Sequence, residues 1–120
     1  MVGDFVTGEK GAFSDCAQES FTLPSRYYTE PSIHHQEMRA IFQCSWLYAG
    51  HMSDLPDVGS YLTEELAGQP ILIVRSQDNE LRAFFNVCQH RGHALLSGRG
   101  LIKNRIVCPY HAWCYGLDGA

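Results

Sequence analysis

Apolar residues recur along this chain with two different periods. Before Trp46 they follow a helical spacing. In "TEPSIHHQEMRAIFQC" (29–44), Met38, Ile41 and Phe42 lie at i, i+3 and i+4 and would form one stripe. Thr29 is placed to cap this helix, and Pro31 is acceptable in a first turn. After the aromatic, apolar "WLYAG" (46–50), the runs become short and strand-like: "SYLTEEL" (60–66) and "ILIVRS" (71–76), separated by "AGQP". "LRAFFNV" (81–87) alternates, with Leu81, Ala83, Phe85 and Val87 on one face and Arg82, Phe84 and Asn86 on the other. "QDNE" (77–80) is turn chemistry and predicts a hairpin between these last two runs. "SGRG" (97–100) reads as a further turn, and "RIVC" (105–108) and "WCYG" (113–116) read as short strands. The expected fold is mainly β, a small antiparallel sandwich or barrel preceded by one short helix. Residues 1–23, rich in Gly, Ser, Asp and Glu without periodicity, are expected to form a flexible arm, which leaves 24–120 as the domain.

Composition narrows the function classes. A chain of 120 residues with 45% hydrophobic content is long and apolar enough for one folded core, which excludes a disordered chain. A net charge of −4, without runs of Lys or Arg, argues against nucleic acid or an anionic membrane as partner. The first residues lack the basic and apolar segments of a secretory signal, and the longest strongly apolar run is "PILIV" at 70–74. A cytoplasmic location is therefore expected. The five cysteines, Cys16, Cys44, Cys88, Cys108 and Cys114, are odd in number and irregularly spaced, which fits a disulfide framework poorly. In a reducing compartment such thiols are buried, reactive or metal-bound.

Two stretches carry the candidate chemistry: "CQHRGH" (88–93) and "CPYHAW" (108–113). Each follows a predicted strand, so Cys88 and His90, then Cys108 and His111, stand on strand-connecting loops. Two thiolates and two imidazoles can fill a tetrahedral zinc site. They can equally hold the two irons of a [2Fe–2S] cluster, two ligands on each. Structural zinc sites commonly pair like with like, C-x2-4-C with H-x3-5-H. Here each loop carries one of each kind, and only one residue separates Cys88 from His90. That mixture suits a cluster whose two irons must both be reached, but on the residues alone both metals stay open.

The motif C-x-H-x17-C-x2-H, in "CQHRG…CPYHAWCYGLDG", resembles the Rieske signature. More narrowly, it is similar to the large (α) subunit of Rieske-type non-haem iron oxygenases, the ring-hydroxylating and related quaternary-ammonium oxygenases. "YYTEPSIHHQEMRAIFQC" and the strand runs that follow resemble the same subunits, so the likeness spans about residues 22–119. The resemblance implies a Rieske [2Fe–2S] domain in which Cys88 and Cys108 ligate one iron and His90 and His111 the other. It also implies electron transfer from a reductase or ferredoxin, through the cluster, to a mononuclear Fe(II) held in a C-terminal domain, where O2-dependent hydroxylation takes place. In the family the subunits commonly form a trimer. The sequence stops at Ala120, before any such second iron site, so this chain is expected to lack the C-terminal part of the domain and to carry electrons rather than hydroxylate.

Charge counting explains what the histidines do. With two thiolates and two neutral imidazoles the oxidised centre is neutral, whereas four thiolates would leave it dianionic, so His ligation raises the potential. Rieske centres lie at about −150 to +300 mV, against about −400 mV for plant-type ferredoxins. High-potential members carry a loop-to-loop disulfide and a serine donor. Here His93, Tyr110 and Trp113 stand at the matching places, which implies a midpoint of about −150 to 0 mV, raised somewhat if Tyr115 donates a hydrogen bond. Gly92 and Gly116 are expected to permit tight turns, Pro109 to stiffen the second loop and Trp113 to pack over the loops. Cys16, Cys44 and Cys114 are not expected to be ligands. His34 and His35 are expected to be solvated, and His51 and His93 to be hydrogen-bonded structural residues. Two other classes compete with an oxygenase domain. A stand-alone Rieske ferredoxin would bring its first ligand loop much earlier in the chain. A structural zinc module would hold one metal.

Overall fold

The computed structural model describes Cys16, Gln18, Ser20 and residues 23–120, so the expected arm at 1–23 lies almost wholly outside the described residues. The chain divides into two compact units, Met1–Ser45 and Trp46–Ala120.

In the first unit the expected helix over 29–44 is broken into pieces. Helix α1 spans Arg26–Thr29 and α2 spans Pro31–Ala40, with a single 3-10 turn at Phe42–Cys44. The break falls at Glu30, which is extended (φ −84, ψ 119). A proline drives the residue before it out of the helical region while itself fitting the first helical position. Thr29 thus ends α1, and its Oγ1 donates to the Ser25 carbonyl (3.1 Å) instead of capping α2. Ile41 and Phe42, two of the three stripe residues, lie past the end of α2 and are exposed.

Among the described residues, all the strands lie in the second unit. Four of them, β1 (Ser60–Leu66), β2 (Gln69–Arg75), β3 (Leu81–Phe85) and β4 (Arg99–Leu101), form an antiparallel sheet in the order β3-β2-β1-β4. Strands β5 (Ile106–Val107) and β6 (Cys114–Tyr115) pair separately. Ala67 and Gly68, both at positive φ (49 and 74), form the two-residue turn between β1 and β2. The β2–β3 turn is held by Arg82, whose guanidinium donates twice to Asp78 at 2.6 Å. That bond holds the Asp78 carboxyl at about 2, below its ordinary 3.8.

Strand β4 corrects the reading of "SGRG" as a turn. Only Gly98 turns (φ 67), while Gly100 sits inside the strand, opposite Tyr61. A side chain at Gly100 would come within 2.8 Å of the Tyr61 ring, so this glycine serves a close approach and not a bend. Gly59, at φ +88, stitches three segments. Its N–H donates to the Arg75 carbonyl, its carbonyl accepts from Ile102 N, and a Cβ there would collide with the Ile102 backbone.

Register decides what is buried. Pairing of Tyr61 with Val74, Thr63 with Leu72 and Leu72 with Phe84 places these side chains on one sheet face. There Leu72 and Val74 join Cys88, Leu95, Ile106, Cys108 and Leu117 in the core, with Tyr61, Phe84 and Tyr115 packed around it. Each such buried aliphatic side chain contributes about 1.5–3 kcal/mol. On β3 and the residue after it the inward face is therefore the mixed one, Arg82, Phe84 and Asn86, and the more apolar face turns out, leaving Phe85 61% exposed. Leu62 lies on the opposite face and is covered by the segment around Gly50. Among the described residues, no helix is long and apolar enough to cross a membrane.

Candidate metal centre

The two Cys/His stretches fold into the same hydrogen-bonded turn. In the first, Cys88 N donates to the His93 carbonyl (2.8 Å) and Gly92 N to the Cys88 carbonyl (2.9 Å). In the second, Cys108 N donates to the Trp113 carbonyl (2.7 Å) and Ala112 N to the Cys108 carbonyl (3.0 Å). The fifth residue of each turn is left-handed, Gly92 at φ +69 and Ala112 at φ +57. The first turn follows β3, and the second joins β5 to β6, closed by the Val107–Cys114 pair. The cysteines hold the same place in both, but His90 is third in its turn and His111 fourth in the other.

This construction sorts the four side chains by depth. Cys88 and Cys108 are each 2% exposed and belong to the core, whereas both histidines are exposed. The imidazole centroids lie 4.8 Å apart, at 68° to one another. The two turns thus bring all four candidates to one place, thiols inside and imidazoles outside. Among the described residues, no three His, Cys, Asp or Glu side chains converge on a single-ion site. A donor set of two thiols and two imidazoles, layered in this way, fits a two-iron centre with unlike ligands on its irons.

The surroundings of Cys88 favour a thiolate. Tyr115 Oη accepts from Gln89 N (3.0 Å), which orients the hydroxyl, and lies 3.2 Å from Cys88 Sγ. This bond is the leading cause holding the Cys88 thiol below its ordinary range. Burial opposes it, and the backbone N–H groups of His90 and Arg91 and the Cys108 thiol assist. The Tyr115 hydroxyl is pushed up by the same bond and by burial. A lowered thiol is what a metal-binding cysteine needs, since the thiolate is the ligand.

Asn86 holds the far end of the first loop, a role its place in an alternating strand did not reveal. It is 7% exposed. Its Oδ1 accepts from Leu95 N and Leu96 N, both at 3.1 Å, and its Nδ2 donates to the Leu96 carbonyl at 2.8 Å. The only hint in the sequence is an amide side chain where the strand pattern would accept an apolar one.

The remaining candidates fall as follows. Trp113, half exposed, packs on the His90 ring with centroids 5.0 Å apart and planes 3° from parallel. Gly92 turns as expected. Gly116 has no positive φ, and a side chain there would instead strike the Asp118 carboxylate. His51 caps a 3-10 turn, accepting from Ser53 N (3.2 Å), and His93 Nδ1 donates to the Ala94 carbonyl (2.7 Å). His34 and His35 lie on α2, exposed. Cys16, Cys44 and Cys114 are exposed, and Cys114 Sγ donates to the Ala112 carbonyl (3.3 Å). Among the described residues there is no disulfide.

Comparison with known proteins agrees with this geometry. The Rieske [2Fe-2S] domain family pattern matches residues 45–120. The oxygenase subunit of carnitine monooxygenase from Escherichia coli (strain K12) is 47% identical over 116 residues, covering 97% of this chain and 30% of that protein. The oxygenase subunit of glycine betaine monooxygenase from Pseudomonas aeruginosa (strain UCBPP-PA14) is 40% identical over 122 residues, covering 98% of this chain and 28% of that protein. Among solved structures, a quaternary ammonium Rieske monooxygenase in complex with L-carnitine superposes with a TM-score of 0.81 at 48% identity, over 84% of this chain and 29% of the other. Naphthalene 1,2-dioxygenase with indole bound gives 0.71 at 34% identity, over 76% and 20%. The chain thus spans about 30% of the length of the curated relatives it matches.

Proposed function

The chain belongs to the Rieske [2Fe-2S] domain family, and on that premise we propose that it carries single electrons, with Cys88 and Cys108 holding one iron and His90 and His111 the other. The observation that carries this reading is the pair of equivalent turns that bury two thiols beneath two exposed imidazoles. When bound, such a cluster accepts and releases one electron. The chain's own residues supply the rest. Leu72, Val74, Leu95, Ile106 and Leu117 keep water from the thiols. Tyr115 donates to Cys88 Sγ, and the exposed imidazoles leave one side of the site open to a redox partner.

The whole protein is proposed to be an oxygenase α subunit acting on a quaternary ammonium compound, with residues 24–120 as its electron-transfer domain. Its electrons would come from a reductase or ferredoxin and would pass to a mononuclear iron in a further domain. The assembly would be a homo-oligomer, trimeric as in the parent family, and cytoplasmic. Support comes from the extent of the likeness. It covers 97% of the chain, including the leading helical unit ahead of residue 45, and the relatives concerned are oxygenase subunits. A stand-alone carrier is expected to begin near its first strand, without such a unit.

The test is low-temperature EPR on the dithionite-reduced protein, prepared without oxygen, beside an iron and zinc count. A rhombic signal with about two irons per chain is expected. An EPR-silent, colourless protein with a single zinc would make the two turns a structural clasp and overturn the proposal.

A further inference from the structure

Five rings run without interruption across the tips of the two turns. Trp113 stacks on His90 (5.0 Å), His90 meets His111 (4.8 Å), Tyr110 lies on His111 (3.8 Å) and His93 on Tyr110 (5.6 Å). Two of these contacts are reciprocal. Numbering each turn from its cysteine, the third residue of the first (His90) meets the sixth of the second (Trp113). The third of the second (Tyr110) meets the sixth of the first (His93). The sixth residues are also those whose carbonyls accept the cysteine N–H in each turn. A ring contact at that position therefore acts on the residue whose carbonyl holds the cysteine N–H. The His93 ring is itself tethered, because Nδ1 can only donate to the Ala94 carbonyl (2.7 Å). Among the described residues, every backbone-to-backbone hydrogen bond of the two turns stays inside its own turn, and Gln89 N reaches the Tyr115 side chain, so their mutual placement depends on side chains and on the two-residue strands β5 and β6.

We propose that His93, Tyr110 and Trp113 are positioning residues whose reciprocal contacts, His90–Trp113 and His93–Tyr110, clasp the two ligand turns into one unit and hold the imidazoles in place. This rests on the reading that Cys88, His90, Cys108 and His111 bind the cluster. None of the three is a ligand in that reading, and all three are exposed, so removing a ring leaves the core untouched. Aromatic pairs of this spacing change an equilibrium or a rate by about two- to twelvefold each.

The experiment follows loss of visible absorbance when the iron-loaded chain, in its oxidised state, is exposed to an iron chelator. Trp113→Leu and His93→Ala should each lose the cluster about two- to twelvefold faster, and Trp113→Phe and His93→Phe should restore the original rate. His93→Ala combined with Tyr110→Leu should be less than additive, because both remove the same contact. A second readout needs no cluster. In the metal-free chain, His93→Ala in the first turn should speed amide exchange at Cys108 in the second, and Trp113→Leu should speed it at Cys88. Unchanged loss rates, full additivity, or exchange altered only within the substituted turn would each overturn the clasp. The unsubstituted chain separates the two ideas. If it lacks the rhombic EPR signal, the ligand assignment has failed. If it shows the signal and the variants behave as the original, only the clasp has failed.

Discussion

Replacing Asn86 by alanine should destabilise the chain by about 2–4 kcal/mol. The side chain satisfies three backbone groups of the segment that returns from the first ligand turn: Leu95 N, Leu96 N and the Leu96 carbonyl. Leu95 is 7% exposed, so its N–H loses its partner where water reaches it poorly, while Leu96 is only half-buried and can recover one from solvent. A buried group left unsatisfied costs about 1–3 kcal/mol, and the two half-buried groups add less. A water entering the space vacated by the amide sets the lower end of the range. Urea denaturation followed by far-UV circular dichroism measures the difference. Asn86→Asp gives the sharper comparison. Its carboxylate can accept from both N–H groups but faces the Leu96 carbonyl without a proton. The variant should therefore be weak at neutral pH and recover as the introduced carboxyl protonates, whereas Asn86→Ala should show no such recovery. A loss below about 0.5 kcal/mol for Asn86→Ala, with an unchanged denaturant slope, would refute the clamp.

Two further substitutions probe the turns themselves. Gly92 and Ala112 are both left-handed, and nothing lies within 4 Å of a Cβ built on Gly92. Gly92→Ala should cost, and Ala112→Gly should gain, about 0.5–1 kcal/mol, because left-handed strain outweighs the chain entropy lost with glycine. Thermal or urea unfolding that gave both changes the same sign would show the turns to be inequivalent. Tyr115→Phe removes the donor to Cys88 Sγ and should lower the midpoint by about 20–60 mV within a starting range of about −150 to 0 mV. A redox titration with an unchanged or raised midpoint would mean that this hydroxyl does not support the reduced state.

Much of the candidate site could be read from local spacing. Cys88, His90, Cys108 and His111 stand close in sequence to short apolar runs, and a metal-binding loop needs only the right donors beside a rigid strand. Strand β1 matches its predicted bounds, and β2, β3, β5 and β6 differ by one or two residues at their ends. The helical segment failed at one peptide. The apolar stripe spoke for continuity, but Pro31 acts on Glu30 through a local clash that periodicity does not register. Strand β4 was hidden because Gly98 and Gly100 look alike in sequence. One turns the chain, and the other makes room for Tyr61, a residue 39 positions away.

The sequence by itself pointed to the candidate donor set and to the order of every strand but β4, because these follow from composition and from spacing along the chain. The tertiary structure alone decided which face of β3 turned inward and that Tyr115 reaches Cys88 across 27 residues. It also decided that two different hexapeptides fold into one turn, with their rings interlocked. A period of two yields two faces but does not say which one meets the core. That choice belongs to the pairing register, and side-chain contacts between loops exist only once the register has been set.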